Sequence, residues 1–416
     1  MAGCIDRVTS LGSTYYADTV GFHTITLSDT AFMQMTEIQH PTISYEGLSY
    51  NLTNFSPLMI IGKVLPENPS GSNEQLESWG LIKFNPIPAD SVTMVTGIRL
   101  LLKDLNYSYG NVSNSNEDFQ VWIETNGKVS DSTNYLTQPL KLSDLADTVG
   151  SVDTVFYDTA DHVLPISFNS PSSLALVKSW LSASSLAFVI TPTQNNPALI
   201  MNNARGFGTT DNSVDDANSV PQLELTLNNG SIIDETPSMD EHLVMDNSPS
   251  LATLGEFTLR GGAGTREHIS MNFSLPETAG LTQFTTINNA VLVLHLDQNN
   301  SRESDLGFDT VGPAIVQITA VGDTGAALIG FGYRDSSDVS AIRFQIRGLI
   351  EDWLRSPVNN FGLELRSGFV TRNVGGVNIG VEDNTLNRWT FYGQNYTGPN
   401  AAILRPQLIL TYSNLH

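Results

Sequence analysis

One construction occurs twice in this chain and limits what it can fold into. Near the C-terminus, Ile342-Arg343-Phe344-Gln345-Ile346 runs directly into Arg347-Gly348-Leu349-Ile350-Glu351-Asp352-Trp353-Leu354, and Phe361-Gly362-Leu363-Glu364-Leu365 follows. Earlier, Ile166-Ser167-Phe168 leads through Asn169-Ser170-Pro171 into Leu174-Ala175-Leu176-Val177-Lys178-Ser179-Trp180-Leu181, with Leu186-Ala187-Phe188-Val189-Ile190 behind it. Each unit is an apolar run of strand length, a short amphipathic helix carrying a tryptophan, and a second apolar run. Ser170 followed by Pro171 supplies an N-cap and a first helical residue.

The surroundings repeat as well. Trp79–Pro88 has its counterpart in His268–Pro276, Gly97–Asp104 in Asn289–Asp297, Phe119–Glu124 in Ile315–Thr319, and Pro221-Gln222-Leu223 in Pro406-Gln407-Leu408. Few stretches show a helical period, so the expected fold is all-β: two tandem antiparallel jelly-roll-like β-sandwiches, each with one short Trp-bearing helix. The expected divisions are a flexible N-terminal tether over 1–19, a first sandwich over 20–230 and a second over 231–416. The turn Asn228-Asn229-Gly230 marks the break.

Composition narrows the function classes. Charged residues make up only 15% of the chain, against roughly 25% in average domains, so the polar surface is built from Ser, Thr, Asn and Gln. That usage is common in extracellular β-proteins. The net charge of −23 argues against nucleic acid and against electrostatic docking on anionic lipid, because both need clustered cations. The single cysteine, Cys4, permits no intrachain disulfide and no cysteine-based metal site. No apolar run approaches the roughly 18 residues of a membrane helix. Met1-Ala2-Gly3-Cys4 resembles the end of a bacterial lipoprotein signal, which makes Cys4 a candidate lipid anchor and the only expected route to a membrane.

Residues 338–412 carry a family resemblance: Asp338-Val339, the helix with Trp353, Asn360-Phe361-Gly362-Leu363, Phe391-Tyr392-Gly393 and Arg405-Pro406-Gln407-Leu408. This order resembles the DNRLRE-type modules, also called disaggregatase-related repeats. The first half matches more weakly, lacking the Arg before Pro221 and having Ala187 where Gly362 stands. The resemblance implies jelly-roll-like sandwiches on secreted and cell-surface proteins. Together with the lipoprotein-like start it is similar to bacterial surface lipoproteins. It transfers no ligand-binding motif to named residues.

The chemistry-bearing residues are few. Trp180 and Trp353, flanked by Leu176, Leu181, Leu349 and Leu354, read as core plugs. Trp79, Trp122 and Trp389 are the candidates for exposed aromatics. Trp389 with Tyr392, among Asn384, Asn387, Arg388 and Tyr396, has the polar-aromatic mix of a carbohydrate platform. Asp297, Glu303, Asp305 and Asp309 with Asn299 and Asn300 form an oxygen-rich loop of the kind calcium uses, without the spacing of a known calcium loop. It reads as solvated, and no cofactor is expected. Glu37-x-x-His40 occurs once and stops at Pro41, which gives a catalytic metal little support. No nucleophile elbow or phosphate loop is present.

The expected function is therefore a non-catalytic, extracellular or cell-surface structural protein: a surface lipoprotein, or a subunit of a filament, sheath or adhesin. Its partners would be other copies of itself or other surface proteins. Carbohydrate binding is the alternative, and polysaccharide cleavage a third reading. The N-terminal residues, with the β-compatible run Ser13-Thr14-Tyr15-Tyr16, would tether the protein through lipid or by pairing with a neighbour's exposed strand.

Overall fold

The computed structural model describes residues 20–28, 32–39, 58–66, 74–110, 119–124, 127–129, 140–152, 162–168, 170–183, 186–192, 203–210, 220–246, 248, 251, 255–261, 267–275, 281–303, 313–317, 327–334, 338–374, 377–382 and 385–415. The fold is all-β, and every strand pairing among the described residues is antiparallel. The strands begin with β1 (Val20–Leu27) and β2 (Met33–Gln39). There follow β3 (Leu58–Val64), β4 (Leu76–Lys83), β5 (Val95–Gly110), β6 (Phe119–Glu124), β7 (Leu145–Val152), β8 (Val163–Ser167), β9 (Ala187–Pro192), β10 (Asn203–Gly208), β11 (Gln222–Leu227), β12 (Ile232–Glu235) and β13 (Met239–Asp246). The second half holds β14 (Glu256–Arg260), β15 (Glu267–Phe273), β16 (Thr286–His295), β17 (Ala314–Gln317), β18 (Ala327–Phe331), β19 (Tyr333–Arg334), β20 (Ala341–Gln345), β21 (Leu363–Arg366), β22 (Phe369–Val374), β23 (Val377–Glu382), β24 (Arg388–Tyr392) and β25 (Gln407–Leu415).

The first half is one curled sheet in the order β12-β11-β5-β10-β3-β4-β9-β6-β7, with β8 also on β5 and β13 also on β4. Strand β5 makes the curl. Its first part pairs with β11 and its last part with β10, so one long strand serves both faces. Between the faces lies a core of Ile98, Leu100, Leu102, Phe119, Val121, Phe188, Ile190, Phe207, Leu223 and Leu225. The Pro171–Trp180 helix closes one end. Ser170 accepts the Ser173 N–H at 3.0 Å as its cap, and Val177 is fully buried. Trp180 packs on this core but stays half-buried.

In the second half two sheets face each other: β1-β25-β16-β20-β19, and β18-β17-β21-β15-β14-β24 with β2 also on β15. The core between them draws Leu292, Leu294, Phe344, Leu408 and Leu410 from one sheet and Met35, Leu259, Ile269, Met271, Leu365 and Phe391 from the other. The Arg347–Arg355 helix inserts Leu349, Ile350 and Trp353 into it. Trp353 is 2% exposed with its ring 5.3 Å from that of Phe273, so the core-plug reading holds here.

Strand by strand, the pairing order of the two halves is the same. β11-β5-β8 answers to β25-β16-β20, and β7-β6-β9-β4-β3-β10 to β18-β17-β21-β15-β14-β24. Two further positions complete each sandwich, one beside the final strand and one along the edge of the central strand. In the first they are filled by β12 on β11 and β13 on β4; in the second, by β1 on β25 and β2 on β15.

This pairing crosses the expected boundaries. Residues 20–39, expected at the start of the first sandwich, lie in the two sheets of the second. Residues 232–246, expected at the start of the second, lie in the first. The physical reason is local. The Asn228–Gly230 turn is the tight loop of a hairpin, so the chain folds straight back on β11 instead of leaving. The tether expected over 1–19, with Cys4, lies outside the described residues.

Candidate functional site

The segment that completes the second sandwich comes from the start of the described chain and is held by long, fully registered ladders. β1 runs eight residues along β25, from Val20 opposite Leu415 to Leu27 opposite Leu408. β2 runs seven residues along β15, from Met33 opposite Phe273 to Gln39 opposite Glu267. The far edge of β15 is already shared by β14 and β21, so β2 covers the one edge that would otherwise present unpaired N–H and C=O groups. Phe32, Met33 and Met35 are at most 4% exposed and fill the core, with Ile25 and Leu27 packed beside them.

Side chains lock β2 from its other side. Gln394 accepts the Met35 N–H through Oε1 at 3.1 Å and donates from Nε2 to the Met35 carbonyl at 3.4 Å. Glu37 accepts the Thr258 N–H of β14 at 2.7 Å. Burial raises the Glu37 carboxyl above its ordinary value, while the Thr258 bond and the Arg388 guanidinium pull it back down. The Glu37-x-x-His40 motif thus serves strand attachment through Glu37; His40 lies outside the described residues.

A buried ionic knot joins the two sandwiches. Glu74, fully buried just before β4, meets Arg260 Nη1 at 2.7 Å and Arg302 Nη1 at 3.9 Å. The Tyr109 hydroxyl donates to both Glu74 oxygens, at 2.7 and 2.9 Å. Burial holds that phenol well above its ordinary value, and the Glu74 carboxylate adds to this, so it remains a donor. The Tyr107 hydroxyl accepts the Leu386 N–H at 3.0 Å, and Leu386 sits among Leu58, Ile60, Leu76 and Val244 of the first sandwich.

Beside β2's clamp stands a cluster of carboxylates and tyrosines. Glu256 opens β14 opposite Tyr392 of β24; it is 5% exposed, and its Oε2 has no hydrogen-bond partner. Burial first, and the Asp297 carboxylate second, push Glu256 up to about 7, against the lowering effect of Arg388. Asp297 accepts the Asn299 N–H at 2.9 Å and Asn300 Nδ2 at 2.7 Å. Tyr392, hydrogen-bonded to Asp297, is pushed to about 12, mainly by burial. Its ring centroid lies 4.5 Å from that of Tyr396. Gly255 sits at φ +73, and a Cβ there would strike the Tyr396 backbone nitrogen at 2.8 Å, so the loop closes only around glycine.

The sequence-predicted aromatics are largely reassigned. Trp389 is 2% exposed and belongs to the core between the two sheets, so the indole is no sugar platform. Its neighbours Asn387 and Arg388 are buried as well, because β24 is covered on both faces. Tyr392 alone of that pair remains half-buried at the surface. Trp79 is 3% exposed, and Trp122 is half-buried with its indole N–H on Thr191 Oγ1 at 3.0 Å. In the oxygen-rich loop, Asp297 is held by its own loop and Glu303 pairs with Arg334, while Asp305 and Asp309 lie outside the described residues. Among the described residues no group of three or more His, Cys, Asp or Glu side chains stands close enough to hold a metal.

Glu74, Gln394 and Glu256 were not singled out by the sequence. The available signal was charge inside apolar strands, as in Glu256-Phe257-Thr258-Leu259-Arg260. No protein-family model matches the chain, and no curated protein matches it significantly.

Proposed function

We propose that this chain is a non-catalytic structural subunit of an extracellular or cell-surface assembly, built from two copies of one β-sandwich module. The observation that carries the reading is strand completion: each sandwich is completed by two successive strands at the same two positions, and those of the second sandwich come from the far end of the chain, residues 20–39. Proteins held together by added strands form durable assemblies, because main-chain ladders give affinity and buried side chains give specificity. The low share of charged residues and the resemblance to DNRLRE-type modules support a place outside the cell. Cys4 would add a lipid anchor; replacing it by Ser should abolish labelling by a fatty-acid analogue while leaving the fold intact.

Light scattering and negative-stain microscopy of the purified chain test the reading. Self-association into regular particles or filaments is expected. A chain that stays monomeric at high concentration, and does not attach to the surface of its source cell, would overturn it.

A second reading is carbohydrate binding, favoured by the Tyr392–Tyr396 ring pair beside Asp297. A pair of tyrosine rings tilted 49° to each other beside a carboxylate offers an aromatic face and an acceptor for a sugar ring and its hydroxyls. On a glycan array Tyr392→Ala should then remove the signal, and an array silent for the unmodified chain would end this reading.

A further inference from the structure

The geometry points to head-to-tail strand donation: residues 20–39 of one copy complete the second sandwich of another copy, linking chains into a linear polymer. This rests on the structural-subunit reading and specifies how the subunits join.

The relation is set by the first sandwich. Its completing segment, 232–246, follows that sandwich and leads onward through 247–255 into the next one. A completing segment therefore stands immediately before one sandwich in the chain and fills the sandwich that precedes it. Residues 20–39 stand immediately before the first sandwich, and they fill a second sandwich. By the same relation, the sandwich they fill is the last one of a preceding copy. In a single chain the same ladders instead bend back, closing a ring of two sandwiches. Ring and filament use identical contacts and differ only in whether the head-to-tail interface closes on itself, the usual condition for strand or domain exchange.

Chain length and strand position permit the open form. Eighteen residues, 40–57, separate β2 from β3 and fully extended would reach roughly 60 Å. Strand β1 is the outermost strand of its sheet, with His23, Thr24 and Thr26 exposed, so a donated segment adds at sheet edges and takes the place of the acceptor's own residues 20–39 alone. The acceptor supplies specific holds: the β15 and β25 edges, Gln394 for Met35, and the Thr258 N–H for Glu37.

The test uses the register of β1 on β25. Thr24 and Thr411 face each other with their hydroxyls 3.3 Å apart. In the full chain carrying Cys4→Ser, Thr24→Cys and Thr411→Cys, oxidation should give a ladder of disulfide-linked multimers on a non-reducing gel. Mixing the two single-cysteine chains should give linked pairs. Excess peptide of sequence 20–39 should cap growth and collapse the ladder to short species; the same peptide carrying Met35→Asp should not. Only internally linked monomer, or no disulfide at all, overturns strand donation. Internally linked monomer from a chain that still associates by light scattering leaves the structural-subunit reading standing, whereas a chain that never associates removes both.

Discussion

Replacing Glu74 by Gln probes the junction between the sandwiches most sharply. The substitution keeps the shape of the side chain and removes its charge. Glu74 is the carboxylate in contact with Arg260 at 2.7 Å, and it is fully buried. Neutralising Glu74 therefore takes the opposing charge away from the buried Arg260 guanidinium, which is 1% exposed, and weakens the hold on Arg302. Removing one partner of a buried pair costs about 3–5 kcal/mol. With an m-value of about 2–3 kcal/mol per molar urea, the unfolding midpoint should fall by about 1–2 M. Fluorescence follows both sandwiches, because Trp79, Trp122 and Trp180 report on the first and Trp353 and Trp389 on the second. Arg260→Met should be about as costly alone, since it removes the nearest guanidinium from the buried Glu74 carboxylate. The double variant should recover about 2 kcal/mol or more relative to the sum of the two. Additive effects, or single effects within about 0.5 kcal/mol, would refute the reasoning.

Other expectations follow from the buried groups. Glu256 is raised to about 7, so its contribution is full below its unfolded value near 4.5 and is lost as pH rises to about 7. Stability of the second sandwich should therefore fall between about pH 4.5 and 7, and Glu256→Gln should flatten this dependence in thermal melts. His242 behaves in the opposite sense. Burial lowers it to about 3 with neither ring nitrogen hydrogen-bonded, so stability of the first sandwich is full above 6.5 and falls as pH drops below it. His242→Leu should remove that acid sensitivity. Trp353→Ala should cost about 3–5 kcal/mol, and Trp180→Ala, at a half-buried position, clearly less. Gln394→Ala should raise amide exchange at Met35 without shifting the global melting temperature by more than a few degrees.

The sequence was most legible where local periodicity and caps coincide. The two Trp helices, the Ser170 cap and the strands around them are local patterns, and all appear where the pattern puts them. Strand partners were not legible. The run Val20-Gly21-Phe22-His23-Thr24-Ile25-Thr26-Leu27 reads as a strand, but nothing in it says that its mate lies at Leu408–Leu415. Pairing across such a distance depends on edges that only the assembled sheet creates. Trp389 misled for a related reason. Its polar neighbours suggested a surface, yet Arg388 and Asn387 are polar groups buried with partners. Glu256 and Asp297, far apart in sequence, meet only because β14 and β24 pair and the chain after β16 returns to Thr390.

The claim that residues 20–39 are the completing segment of the second sandwich is tested most directly by hydrogen exchange along β15 and β25. In a variant lacking residues 1–39, those amides of Glu267–Phe273 and Leu408–Leu415 that face β2 and β1 should lose protection, while those facing β21 and β16 keep it, and added peptide 20–39 should restore the loss. Unchanged protection in the shortened chain, or a peptide that restores none, would contradict the account.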